Sequence, residues 1–176
     1  VRQTTSTLEY YQVLQQMCAQ LKDAHTNVYM PDELNNAVYA RPSMRTQLIE
    51  DRVIITAISD ESLSKKGLMV GLEFIKIDKL PVKKYAAKFV APFQSASTSQ
   101  DLAERIYSYS LLSGPAEKPV TLVVRDTNGK TASYTIARLT PAARRKVPLP
   151  AIAPLEFKML PGDITYGAPR PFDSDA

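Results

Sequence analysis

The sequence predicts an α+β fold: an N-terminal helical segment, then a partly open β-barrel with one main amphipathic helix, then an extended linker. Three observations predict it. Residues 44–78 hold three short runs rich in β-branched residues, residues 99–113 carry apolar side chains at helical spacing, and residues 120–137 read as two strands around a turn. A composition of 44% hydrophobic and 23% charged residues over 176 positions suits one such domain with an appendage.

The first helix is expected over residues 6–22. Ser6 and Glu9 stand at capping-box spacing, where each side chain can satisfy an orphan amide at the helix start. Tyr10, Leu14, Met17, Cys18 and Leu21 recur at three- and four-residue steps and form an apolar face that needs a partner. A short extended stretch at 26–30 precedes Pro31, and residues 31–43 read as loop. Strands are expected at 44–48 and 52–58, on either side of Glu50-Asp51. The second contains a β-branched run from Val53 to Ile58 and suits burial on both faces. Residues 60–67 make a short helix closed by Gly67. The next strand, 73–78, places Ile75 and Ile77 on one face.

The clearest helix is 99–113. Ser97 or Ser99 caps it, Leu102, Ile106, Tyr109 and Leu112 line one side, and Gly114 supplies a left-handed stop before Pro115. Strands at 120–125 and 130–137 form a hairpin in which Asn128-Gly129 provides positive φ angles. Beyond residue 140 the composition shifts: 7 of the 13 prolines lie there. This stretch is read as an extended connector, with another strand opening near 160–166. The expected units are therefore 1–42, 43–139 and 140–176.

Several function classes are disfavoured. The net charge is +4 with a pI of about 9.1, and the one concentrated basic run is Arg144-Arg145-Lys146, which beside prolines reads as a solvated linker and not a nucleic-acid surface. Tyr107 and Tyr109 alternate with serines and lack the basic interleaving of a base-stacking platform. No stretch approaches the roughly 20 apolar residues of a membrane span. Cys18 is the only cysteine, which excludes an internal disulfide and a cysteine zinc cluster; neither metal nor cofactor is expected. The chain opens on Val1 with no visible signal peptide and reads as a processed product or a fragment.

Three pieces in fixed order carry a resemblance. The first is Leu21-Lys-Asp23-Ala-His25-Thr26 at the end of the helical segment. The second is Gly67-Leu-Met-Val-Gly71, Ile75-Lys-Ile77 and Pro81-Val82, closed by Gly114, Pro119 to Arg125 and Gly129-Lys130. The third is Leu160-Pro-Gly162-Asp-Ile-Thr-Tyr166. Together they resemble the C-terminal processing (tail-specific) serine peptidases, in particular their tricorn-like branch, over about residues 6–166. The resemblance implies a helical cap, a PDZ-like domain and the opening of a catalytic domain that follows. It implies a polypeptide substrate, an extracytoplasmic setting and a serine nucleophile outside this chain, so that the chain alone is inert. Two departures stand out: Leu72 follows Gly71, and Asp78-Lys79 replaces an Asn-Gly-type turn. In addition, residues 40–45 lack the glycine-rich loop whose amides would hold a peptide carboxylate.

His25, the only histidine, is the candidate catalytic base that the tricorn-like branch implies; the alternative is a histidine serving the C-terminus of the first helix. Asp23 is either its orienting partner or a solvated carboxylate. Within the PDZ-like part, Met44, Leu48, Ile106 and Tyr109 are candidates for a groove that takes an extended peptide as an added strand; the alternative places them in the barrel core. A different class of function, a non-catalytic PDZ-like scaffold that binds peptides, remains open at this level.

Overall fold

The computed structural model describes residues 3–147, 157–160 and 164–167. The first element is helix α1 (Thr7–Gln20), whose N-cap Ser6 accepts from the Glu9 amide at 3.2 Å. The capping box is only half made, because the Glu9 carboxylate turns to the amide and hydroxyl of Thr5. Nor is the expected apolar face buried: Cys18 is, but Tyr10, Met17 and Leu21 are exposed. α1 lies against the turn at 91–93, and Cys18 is the residue that it buries. The 26–30 stretch forms no strand, and the 31–43 loop contains a 3₁₀ turn (Asp32–Leu34) and one turn of helix α2 (Asn35–Val38).

The barrel begins with β1 (Met44–Ile49) and β2 (Arg52–Ile58), joined at Glu50 and Asp51, both with positive φ (46° and 66°), the backbone of a two-residue primed hairpin turn. Helix α3 (Glu61–Lys65), capped by Asp60 and ended at Gly67 (φ 96°), leads to β3 (Glu73–Ile77) and the short return β4 (Leu80–Pro81). Asp78-Lys79 makes a second primed turn without a glycine (φ 46° and 71°). Helix α4 (Val82–Tyr85) follows and runs on through a π-helical turn (Ala86–Val90) and a 3₁₀ turn (Ala91–Phe93). Then come α5 (Ser99–Glu104) with a π-helical continuation (Arg105–Ser110), β5 (Val120–Arg125), β6 (Thr131–Ile136) and α6 (Pro141–Arg144). The six-stranded sheet is antiparallel in the order β1-β2-β3-β5-β6, with β4 on β3. This is the α+β, partly open roll that the sequence predicts, consistent with a PDZ-like domain.

Packing corrects several details. β2 is buried on one face only: Val53 and Ile55 are inside, and Ile54 is not. One face of this antiparallel sheet carries the core and the other faces solvent. In β3 an irregularity between Phe74 and Lys76 breaks the alternation, so Phe74 and Ile77 point inward and Ile75 does not join them. The α4 helix is a second barrel helix that the sequence reading missed, although Val82, Tyr85, Ala86 and Val90 are buried at helical spacing after Pro81. α5 is capped by Thr98, which accepts from Asp101 at 3.1 Å, and not by Ser97 or Ser99. The π turn that continues α5 adds a residue per turn and leaves Tyr109 exposed, while Ile106, Leu111 and Leu112 stay inside.

Gly114 is not left-handed. Its amide pairs with the Ala40 carbonyl at 3.0 Å, and a Cβ there would lie 3.0 Å from Nε of Arg138. In the β5–β6 turn only Gly129 has positive φ (82°); Asp126 Oδ1 accepts from the amides of Asn128 and Lys130 to hold the rest. After residue 140 the connector is not wholly extended, since α6 occupies its start. The strand expected near 160 is realised as two, β7 (Phe157–Leu160) and β8 (Ile164–Gly167), paired antiparallel. Pro148, Pro150 and Pro154 lie outside the described residues.

Candidate functional site

β1 ends the sheet order and so presents an edge that no other described strand covers. The π-helical continuation of α5 runs beside it. Two side chains tie strand and helix together: the Thr46 hydroxyl donates to the Tyr107 carbonyl, and Nη1 of Arg41 donates to the Tyr109 carbonyl. The first half of β1 is therefore bridged to the helix, with Met44 and Thr46 buried. The second half is open, and Leu48 (36%) and Ile49 (42%) stand exposed. At its far end Lys83 pairs with Asp51, and the Tyr107 hydroxyl feels both charges, though burial is the main cause that raises its proton affinity.

The four groove candidates thus separate. Met44 and Ile106 belong to the core, as their alternative reading held. Leu48 is accessible on the open half of the edge. Tyr109 is exposed over the start of β1, beside Arg41. Sequence reasoning missed Arg41 and Thr46, because nothing local to either residue indicates which helix carbonyl it will reach.

His25 lies beyond the end of α1, in a loop after Lys22, which turns the chain with φ 52°. Its side chain is 95% exposed and its Nδ1 is 3.5 Å from Asp23 Oδ1. Among the described residues no hydrogen bond joins the imidazole to a helix carbonyl, so it does not serve the C-terminus of α1. The loop is held without it. Asp23 accepts from the Thr26 hydroxyl (2.5 Å) and the His25 amide (3.1 Å), and these bonds, Thr26 first, hold its carboxyl below the usual aspartate range. The Ala24 amide donates to Ser97 Oγ at 2.9 Å and fastens the loop to the segment ahead of α5. An exposed imidazole on a fastened loop is free to meet a group brought to it.

A cavity of about 850 Å³ lies between α1 and the barrel, lined among others by Leu8, Gln15, Tyr39, Tyr85, Phe89 and Arg138. Arg138 is buried, and its Nε and Nη1 donate to the carbonyls of Leu112 (2.9 Å) and Lys118 (2.6 Å). Tyr85 is raised in proton affinity by burial, which the adjoining Arg138 opposes. This guanidinium binds barrel to loop.

No protein-family model matches the sequence, and none of the curated proteins matches it. Solved structures do. Mature CPAF is similar with a TM-score of 0.57 and 21% identity over 78% of this chain and 26% of the CPAF chain. Mature CPAF complexed with lactacystin gives a TM-score of 0.56 with the same identity and coverage. The PDZ domain of a carboxy-terminal protease from Vibrio cholerae, in complex with peptide, overlaps only loosely, at a TM-score of 0.37 and 18% identity over 58% of this chain and 95% of that one. The chain spans about a quarter of the CPAF chains it matches, and at this identity the likeness is one of fold.

Proposed function

We propose that this chain is the helical cap and PDZ-like part of a serine-type endopeptidase, and that the open half of β1 takes a stretch of polypeptide substrate as an added strand. On this reading residues 1–42 form the cap, 43–139 the capturing domain and 140–176 the passage to a catalytic domain that supplies the nucleophile. His25 is the base that the cap brings to that serine, as in the tricorn-like branch, in an extracytoplasmic setting. The likeness of fold to CPAF supports the assignment. The observation that carries the capture role is the edge of β1, which no other described strand covers, with Leu48 and Ile49 exposed on it. A strand paired there would gain main-chain hydrogen bonds, and the apolar side chains would give it alternate contacts.

Substituting Leu48→Asp tests the capture role. The residue is accessible, so the fold is expected to persist. An extended apolar peptide, blocked at both ends and labelled for fluorescence anisotropy, is expected to bind the 176-residue chain. The variant should weaken that binding about tenfold, as a charge forced against an apolar side chain would. Equal binding by both proteins would remove the β1 edge from substrate capture.

A further inference from the structure

At the start of β1 a cavity of about 340 Å³ is lined by Arg41, Arg45, Arg144 and Arg145, together with Ser43 and Ser59. Chain segments far apart in sequence meet there. Arg41 and Arg45 flank the entry to β1, while Arg144 and Arg145 come from the end of α6. Arg144 is placed by a bond from its Nη1 to the Tyr39 carbonyl at 3.2 Å, and Arg41 by its bond to the Tyr109 carbonyl. Among the described residues no carboxylate forms an ion pair with any of the four. Four like charges around one hollow repel each other. Burial, and then the charges of Arg144 and Arg45, depress the proton affinity of Arg41.

Part of the backbone at this place is already committed. The Arg41 amide donates to the Leu139 carbonyl, the Met44 amide to Pro42 and the Gly114 amide to Ala40, and Pro42 has no amide hydrogen. A chain terminus would therefore find few main-chain amides here, and mostly guanidinium forks. Each fork suits a carboxylate in two-pronged contact, and four of them exceed what a single carboxylate can occupy.

We propose that this arginine-lined cavity binds the acidic side chains of an internal polypeptide segment, so that the edge of β1 captures sequences carrying aspartate or glutamate beside an apolar run. The proposal rests on the strand-capture reading above and adds its specificity. Arg45 at the cavity and Leu48 on the open half of the edge lie on the same strand, about 10 Å apart at the rise of a β-strand, so one extended segment is long enough to reach both.

The test uses the 176-residue chain and three labelled peptides that share one apolar core. One is blocked at both ends and carries two glutamates, one has glutamines in their place, and one has the glutamines and a free terminal carboxylate. The variant is R45Q/R145Q, because both residues are exposed and, among the described residues, neither side chain makes a hydrogen bond that holds the fold. The glutamate peptide is expected to bind about tenfold tighter than the glutamine peptide, a preference lost in the variant and reduced by salt. Equal binding of the two blocked peptides overturns the acidic specificity and leaves strand capture standing. A preference shown only by the free terminal carboxylate overturns it in favour of terminus recognition. A glutamate preference that survives in the variant places the anion site elsewhere and also overturns it. Absence of binding by all three peptides overturns both readings.

Discussion

If the chain is the front part of a serine endopeptidase as proposed, replacing His25 by alanine in the full-length protein is expected to lower turnover of a fluorogenic peptide by about 10²–10⁴-fold, the contribution of a positioned general base. The midpoint of thermal unfolding should not move. The imidazole is 95% exposed, and among the described residues its ionic partner is Asp23 at 3.5 Å, so almost no packing is lost with it. The loop keeps its shape through the bonds of Asp23 to Thr26 and to the residue 25 amide, and through the Ala24–Ser97 tie, none of which uses the imidazole. A structural role would show the opposite pattern, with stability falling and turnover following it. Steady-state kinetics beside circular-dichroism melts separate the two outcomes, and full turnover by His25→Ala would take this residue out of the mechanism.

Arg138→Met is expected to destabilise the domain by about 2–4 kcal/mol in urea titrations, because two carbonyls lose a charged donor. The Leu112 carbonyl is deep, since Leu112 is buried, and would be left unpaired away from water. The Lys118 carbonyl belongs to an exposed residue and can recover part of its loss from solvent, which keeps the total below the sum of two buried cases. Methionine keeps much of the aliphatic bulk, so the change reports the bonds more than a cavity. Gly114→Ala gives a second reading of the same contact: its new Cβ would press on the guanidinium at 3.0 Å. It should destabilise the wild-type background and cost less beside Arg138→Met, so that the pair is non-additive in a double-mutant cycle. Additive losses would show that Arg138 and Gly114 act independently.

Local chemistry made much of the fold legible. The β-branched run at 53–58, the Asp60 cap with Gly67 behind it, and the paired strands around Asp126–Gly129 all announce themselves within a few residues. The structure places each where those signals put it. The second barrel helix was harder to see. Its buried positions at Val82, Tyr85, Ala86 and Val90 sit among three lysines, and its course changes from α to π to 3₁₀ within twelve residues. A pattern read at one constant period blurs over such a course.

The candidate site was legible only in part. Leu48 and His25 were singled out and stand exposed, whereas Met44 and Ile106, with the same apolar chemistry as Leu48, are enclosed by the sheet and helix. Tyr109 lies in the π turn and is exposed, whereas a 3.6-residue spacing assigns it to the inner face. The sequence by itself determined the order of the long strands and of helices α1, α3 and α5, most of the turns and the α+β class, because caps, turn residues and alternation act between near neighbours. Only the tertiary structure decided that no other described strand covers the edge of β1, that Thr46 and Arg41 bridge half of it to the helix, and that Arg144 and Arg145 come to its start. Those facts are contacts between residues about 60 to 100 positions apart, such as Thr46 with Tyr107 and Arg144 with Tyr39, and no short-range preference encodes them.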